Sequence, residues 1–240
     1  MTPLELTVDG PQGPRAVRIT HPDRICFPER GITKADVVRY FLAVGDGILR
    51  ALHERPTMLQ RWPSGVTPGA TLSVGKRAPD QAFFQRRVPR GAPAWVRTVH
   101  IPGAPDPGGG AGSAPLDAVC PTEPAVVAWA ANLGPLTFHP WTVRRTAQRD
   151  RGPRVHVDAN PQTVASAYSV RPNPRATVSA PVTWDELADV TSEDLDVTTM
   201  PDRFAAVGDL HAALDAHTST IEPLLAMADR DGRADRDRAG

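Results

Sequence analysis

The side chains of this chain best equipped for chemistry are cations and aromatics rather than acid–base pairs. Arg24 sits in the turn-forming run His21-Pro22-Asp23-Arg24, Lys34 follows Thr33, and Arg61 opens the run Arg-Trp-Pro. A guanidinium can fork onto two phosphate oxygens, and an ammonium acts as a compact point charge. Lys34 falls in the first turn of an expected helix, where its charge would join free backbone N–H groups in attracting an anion. Phe83 and Phe84 are followed by Gln85, Arg86 and Arg87. Adjacent strand residues face opposite ways, so one ring is expected in the core and the other beside the arginines, placed to stack on a base. The plainer alternative is solvated surface cations and two rings buried between layers.

Motifs of the common catalytic centres do not occur. There is no Gly-x-Gly-x-x-Gly, no phosphate-cradling Walker loop, no Gly-x-Ser-x-Gly and no His-Glu-x-x-His. The seven histidines are scattered, and His139 and His156 lack the clustered Cys or Asp that a metal site needs. Cys26 and Cys120 are too few for a disulfide framework or a Cys-rich zinc site. Neither Lys34 nor Lys76 stands in a ligase nucleotidyl-lysine motif.

These side chains must be positioned by a chain rich in turns. The 240 residues include 19 glycines and 26 prolines, well above the average share of about 12%. Apolar residues at 40% still exclude a wholly disordered chain. The start, MTPLELTVDG, lacks a signal-peptide pattern, and the apolar stretch from Ala125 to Leu133 is too short to span a bilayer. A soluble, cytoplasmic protein with no membrane partner is therefore expected. The zero net charge hides an asymmetry. Residues 1–180 hold 22 Lys+Arg against 13 Asp+Glu, and residues 181–240 hold 5 against 14. A basic body suits an anionic partner, though solvated surfaces of both signs would give the same counts. Arginine outnumbers lysine 25 to 2, which codon bias alone can produce.

Leu4–Val8 and Ala16–Thr20 alternate as strands. Thr33 and Asp36 sketch a capping box for a helix whose stripe is Val37, Phe41, Val44, Ile48 and Leu52, weakened by Gly45 and Gly47. Thr57–Trp62, Ala82–Val88, Trp95–Ile101, Leu136–Trp141, Val155–Asp158 and Thr163–Arg171 read as further strands. Thr122 is the expected cap of a helix running to Asn132, Thr183 of a short acidic helix, and a last helix is expected near Asp202–Ala216. Trp62, Trp95, Trp129 and Trp141 are expected in the core. Pro63–Asp80, Pro102–Pro115 and the basic stretch Arg144–Arg154 read as loops. The pattern predicts an α+β fold with mixed or antiparallel sheets and few helices. Three parts are expected: residues 1–200 as the main domain, 201–228 as a C-terminal helical segment, and 229–240 as a disordered charged tail.

Six blocks then recur in a telling order: HPDRICFPERGITKADVVRYF, RPTMLQRWPSG, QAFFQRRVPRGAPAWV, AVVAWAANLGPLTFHPW, VHVDAN and ASAYSVRPNPRATVSAPVTWDEL. Together they resemble the polymerase (primase-polymerase) domain of bacterial ATP-dependent DNA ligase D and its stand-alone relatives, of the archaeo-eukaryotic primase superfamily. The resemblance spans roughly residues 14–190. It implies a shortened primase-polymerase domain linked to non-homologous end joining, with DNA ends or gaps bearing a 5′-phosphate as partners, alongside Ku and DNA ligase components. It implies 5′-phosphate contacts at Arg24 and Lys34, and DNA or template contacts at Arg61, Phe83, Phe84 and Arg86. It also implies nucleotidyl transfer by two divalent ions, Mn or Mg, held by three carboxylates.

The centre departs from that pattern. After His139-Pro140-Trp141 the chain runs TVRRTAQRDRGPRVHVDANPQTVASAYSVRP, with no Asp-x-Asp and no Ser-Gly-x-Lys-Gly loop. Asp158 precedes the block Ala167-Tyr168-Ser169-Val170-Arg171, which matches it to the family's third acid; alternatively, Val155-His156-Val157-Asp158 is a damaged Asp-x-Asp. Either way one acid stands where the resemblance asks for three, so Asp158 is a vestigial candidate and no metal or other cofactor is expected. The leading expectation is a catalytically defective DNA-binding protein. The alternatives are a nucleotidyltransferase completed by a partner chain, and a remnant or protein scaffold that does not bind DNA.

Overall fold

The computed structural model describes residues 2–73, 81–101, 114–141, 164–213 and 216. Alternating side chains make β1 (Leu4–Val8) and β2 (Arg15–Ile19) an antiparallel hairpin with Val8, Val17 and Ile19 turned inward. The chain then forms β3 (Ile25–Phe27), a 3-10 turn over Pro28–Arg30, and β4 (Ile32–Thr33), which returns antiparallel to β3. Thr33 caps α1 (Lys34–Ala43), and the expected capping box forms in full. The Asp36 N–H donates to Thr33 Oγ1 at 3.2 Å, and the Thr33 N–H to Asp36 Oδ2 at 2.9 Å.

The single helix expected through Leu52 is two. Val44 leaves helical geometry, and α2 (Gly45–Leu52) starts beyond it. Gly47 in α2 answers to packing: a Cβ there would stand 2.6 Å from Tyr168 Cε2 and 2.8 Å from Phe204 Cε2. The bare backbone lets both rings seat on the helix.

The larger sheet is built around β5 (Thr57–Arg61). Along one edge it pairs with β9 (Pro135–Pro140); along the other it meets β6 (Phe83–Gln85) and, at Thr57, β8 (Leu116–Val119), which carries β7 (Thr98–Ile101). All these pairings are antiparallel. α3 (Pro124–Asn132) is apolar on every side and buried from Ala125 to Ala131, as a helix enclosed between layers must be. Its N-cap is Glu123 rather than Thr122, because Pro124 already occupies the first helical position. Phe41 of α1 meets Phe138 of β9 edge-on, centroids 5.2 Å apart, which joins helices and sheet into one core. Trp62 and Trp129 are buried, while Trp95 and Trp141 are half-buried.

The acidic end is docked at least as far as Asp209. Arg30 donates to Asp196 at 2.9 Å, Arg203 to Glu186 at 2.8 Å, and Arg50 to Asp209 at 2.8 Å. Val197 and Met200 are buried beneath. Thr163–Arg171 is not a strand where it is described. Tyr168 takes a positive φ of 62° and the Ser169 N–H closes on the Ser166 carbonyl, so only a single bridge, Val170 to Val178, remains. The expected helix at Thr183 is a run of turns, capped by Glu186. α4 (Met200–Val207) starts before Asp202 and stops at Gly208, which adopts a φ of 75°. The expected strand at 155–158, the basic loop at 144–154, residues 102–113 of the glycine-rich loop, Lys76 and the charged tail lie outside the described residues. Antiparallel sheets with four helices among the described residues make this an α+β fold. No helix among the described residues is long and apolar enough to cross a membrane.

Candidate nucleic-acid interface

Arg24, Lys34 and Arg61 come from three separate segments and line one cleft of about 260 Å³, together with Thr20, His21, Cys26, Trp62 and Asn132. Local geometry explains the meeting. The turn at 21–24 is closed by the Arg24 N–H on the His21 carbonyl at 3.1 Å. Gly65, at a φ of +79°, packs so tightly that a Cβ would fall 2.7 Å from the Cys26 carbonyl, and the Val66 N–H reaches that carbonyl at 2.7 Å. This contact brings the end of β5 against β3. Arg61 completes the wall: its Nε and Nη2 donate to the Leu133 carbonyl at 2.9 and 2.5 Å, and Nη1 donates to Gln85 at 2.8 Å.

Lys34 is 7% exposed, and its ammonium donates to the Thr20 carbonyl at 2.6 Å. Burial holds its pKa below the ordinary lysine value; the Arg24 and Arg61 charges push the same way and Cys26 pushes back. Burial raises the Cys26 thiol, against the pull of Lys34 and Arg24. Among the described residues no carboxylate pairs with Arg24 or Lys34. The Trp62 indole Nε1–H, in the same lining, is buried without an acceptor among them. The cleft thus concentrates donors and positive charge in a partly dry setting, where an oxyanion relieves like-charge repulsion.

One expectation about Lys34 is overturned. The first N–H groups of α1 are not open to an anion: that of Lys34 donates to the Arg24 carbonyl, that of Ala35 to the Pro22 carbonyl, and that of Asp36 to Thr33 Oγ1. The chain entering the helix folds back over its end. The donors left at this place are those of side chains.

Phe83 and Phe84 are both half-buried and lie on opposite faces of the sheet. Phe83 lies under the Arg61 guanidinium at 5.3 Å, and Phe84 meets His139 edge-on at 5.1 Å. Arg86 is exposed just past β6 and is not part of the cleft lining. Asp158 lies outside the described residues. Reading by residue type missed Thr20, His21, Trp62 and Asn132. All four fall inside or beside quoted blocks, but only the tertiary contacts single them out.

Divalent ions need several oxygen ligands. Among the described residues no three of His, Cys, Asp or Glu come together as a metal cage. Asp194-Leu195-Asp196 has the Asp-x-Asp spacing, yet its carboxylates are taken. Asp194 accepts from Thr191, while Asp196 accepts from Thr198, Thr199 and Arg30. The described residues therefore do not fit the metal pair that the family resemblance implies.

The described residues thus form an α+β core of antiparallel strands with one cleft lined by three cations. A family model for the LigD primase-polymerase domain matches residues 33–162 and 142–211, and the chain belongs to that family. It is 25% identical over 298 residues to the multifunctional non-homologous end joining protein LigD of Mycolicibacterium smegmatis, covering 87% of this chain and 37% of that protein. The LigD of Mycobacterium tuberculosis strain H37Rv is 25% identical over 309 residues, covering 90% and 39%. That of Pseudomonas aeruginosa is 31% identical over 147 residues, covering 60% and 15%. The chain thus spans less than two-fifths of the length of these relatives. The two mycobacterial alignments are longer than the 240-residue chain itself, so both relatives hold residues where this chain has none. A solved structure, the polymerase domain from Mycobacterium tuberculosis Ligase D in complex with DNA, shares the fold at a TM-score of 0.65 and 18% identity, covering 85% of this chain and 99% of that one.

Proposed function

We propose that this protein binds DNA ends or gaps by seating a 5′-phosphate in the cleft of Arg24, Lys34 and Arg61, in an end-joining repair setting, and that it does not itself transfer nucleotides. The observation that carries this reading is the meeting of three cations, from segments far apart in sequence, around one cleft with Lys34 almost fully buried. Buried lysines are costly unless a counter-charge arrives. A 5′-phosphate monoester brings nearly two negative charges at neutral pH, more than a backbone diester. The cleft is smaller than the roughly 300–1,000 Å³ of small-molecule pockets, which suits a terminal phosphate better than a whole nucleoside triphosphate. The solved relative's complex with DNA supports the same partner.

The lack of transfer rests on the sequence between His139 and Arg171, which holds neither Asp-x-Asp nor a Ser-Gly-x-Lys-Gly loop. Gapped duplexes with and without a 5′-phosphate test the binding half. The phosphorylated gap is expected to bind more tightly at low salt, and equal affinity or no binding overturns this half. Primer extension with manganese and all nucleotides tests the other half, and addition above a buffer control overturns it.

A further inference from the structure

Asn132, the last residue of α3, lines the same cleft, 112 residues from the turn it holds. Its Oδ1 accepts from the Thr20 N–H at 2.8 Å and from the Thr20 hydroxyl at 3.2 Å. An amide whose oxygen takes two donors has a fixed orientation, with its NH2 group directed elsewhere. Asn132 Nδ2 is not among the buried unsatisfied atoms and has no acceptor among the described residues, so it keeps contact with solvent. The Thr20 that Asn132 holds also carries, on its carbonyl, the ammonium of Lys34.

We infer that Asn132 is a phosphate-contacting residue: Nδ2 supplies a neutral donor to the 5′-phosphate, while Oδ1 fixes the turn that anchors Lys34. The inference rests on the end-group reading above and adds a specificity residue to it. The end of a helix carries partial negative charge on its last carbonyls, a poor neighbour for an anion. Arg61 answers that charge by bonding the Leu133 carbonyl twice. The Asn132 amide sets a neutral donor beside that pair in the cleft lining. A neutral donor sharpens recognition of phosphate oxygens but releases no counterion. Its loss should lower the preference for a 5′-phosphate without changing the salt dependence, which a lost cation would change.

The test uses the intact chain, Asn132→Ala and Asn132→Asp, and paired gapped duplexes with and without a 5′-phosphate. The aspartate keeps an acceptor for Thr20 and replaces the donor with a carboxylate. The intact chain should prefer the phosphorylated gap. Asn132→Asp should keep a near-normal thermal midpoint and lose that preference about ten-fold or more. Asn132→Ala should lose it with an unchanged slope of log affinity against log salt. In the intact chain, titration with inorganic phosphate should shift the Asn132 side-chain amide NMR signals, a readout that needs no variant to fold. An intact chain without phosphate preference overturns the end-group reading itself. A preference that survives in Asn132→Asp, a shallower salt slope in Asn132→Ala, or amide signals unmoved by phosphate overturns the role of Asn132 and leaves the end-group reading standing.

Discussion

Gly47 lies so close to Tyr168 that a Cβ would sit 2.6 Å from the ring, and the Phe204 ring, 2.8 Å from the same point, meets Tyr168 edge-on, centroids 5.4 Å apart. α2, the Tyr168 turn and α4 thus share one contact, and the acidic end is held to the body by apolar packing as well as by ions. Gly47→Ala should reverse the usual rule for helices. Alanine normally gains about 1 kcal/mol over glycine, but forcing two ring edges apart costs roughly 1–3 kcal/mol. A drop in thermal midpoint is expected; an unchanged or raised midpoint would show that the rings yield freely.

Asp209 ties the same region electrostatically. The Tyr168 hydroxyl donates to it at 2.7 Å, Arg50 at 2.8 Å and the His211 N–H at 2.9 Å. Burial pushes the Asp209 pKa up, but these bonds outweigh it and hold the carboxyl below its ordinary 3.8. A depressed carboxyl stabilises the fold above its unfolded value, and that contribution fades as pH falls through the folded one. Acid unfolding should therefore set in below about pH 4. Asp209→Asn should flatten the acid limb, and Asp209→Ala should cost about 2 kcal/mol at neutral pH by leaving the tyrosine hydroxyl unpaired. Urea titrations across pH measure both; an acid limb identical in Asp209→Asn would remove Asp209 as its cause.

The residue types of the cleft were legible because they lie in short blocks with local signals: a Pro-Asp turn before Arg24, a capping box before Lys34 and Arg-Trp-Pro after β5. α3 was legible because seven consecutive small or apolar residues leave it no polar face. Convergence was not legible. Thr20 meets Asn132 across 112 residues, and Arg61 meets Leu133 across 72. No periodicity encodes such contacts. The taken N–H groups of α1 were hidden for the same reason, since their acceptors come from the preceding turn folding back. Sequence marks the region of Val44 only by the weakening at Gly45 and Gly47, because Ile48 still donates to the Val44 carbonyl at 3.0 Å and the apolar stripe passes through the break.

Alkaline pH should weaken phosphate recognition sooner than an ordinary lysine would. Burial, with Arg24 and Arg61 adding to it, lowers the Lys34 pKa. The charged form that binds phosphate is thus lost as pH rises through a value below 10.5. The phosphate monoester, with its second pKa near 6, is already fully charged above neutral pH. The ratio of affinities for phosphorylated and unphosphorylated gaps should fall between neutral pH and the ordinary lysine value. Lys34→Arg should hold the ratio flat, because a guanidinium keeps its charge throughout. A flat ratio in the intact chain would mean that Lys34 does not meet the phosphate.

Arg24 and Lys34 together should account for most of the preference for a phosphorylated end. Arg24→Gln removes an exposed charge, and Lys34→Met keeps the buried stem of the lysine while removing its ammonium. Each charge-assisted bond contributes roughly 1.5–3 kcal/mol at best. The double variant should bind the phosphorylated gap about ten-fold or more weakly, and the unphosphorylated gap should lose less. The slope of log affinity against log salt should become shallower by about two contacts' worth, the opposite of what is expected for Asn132→Ala. Fluorescence anisotropy on the paired gaps across a salt series measures all three quantities. Equal losses on both gaps would reduce Arg24 and Lys34 to general surface charge and leave the cleft without its assigned ligand.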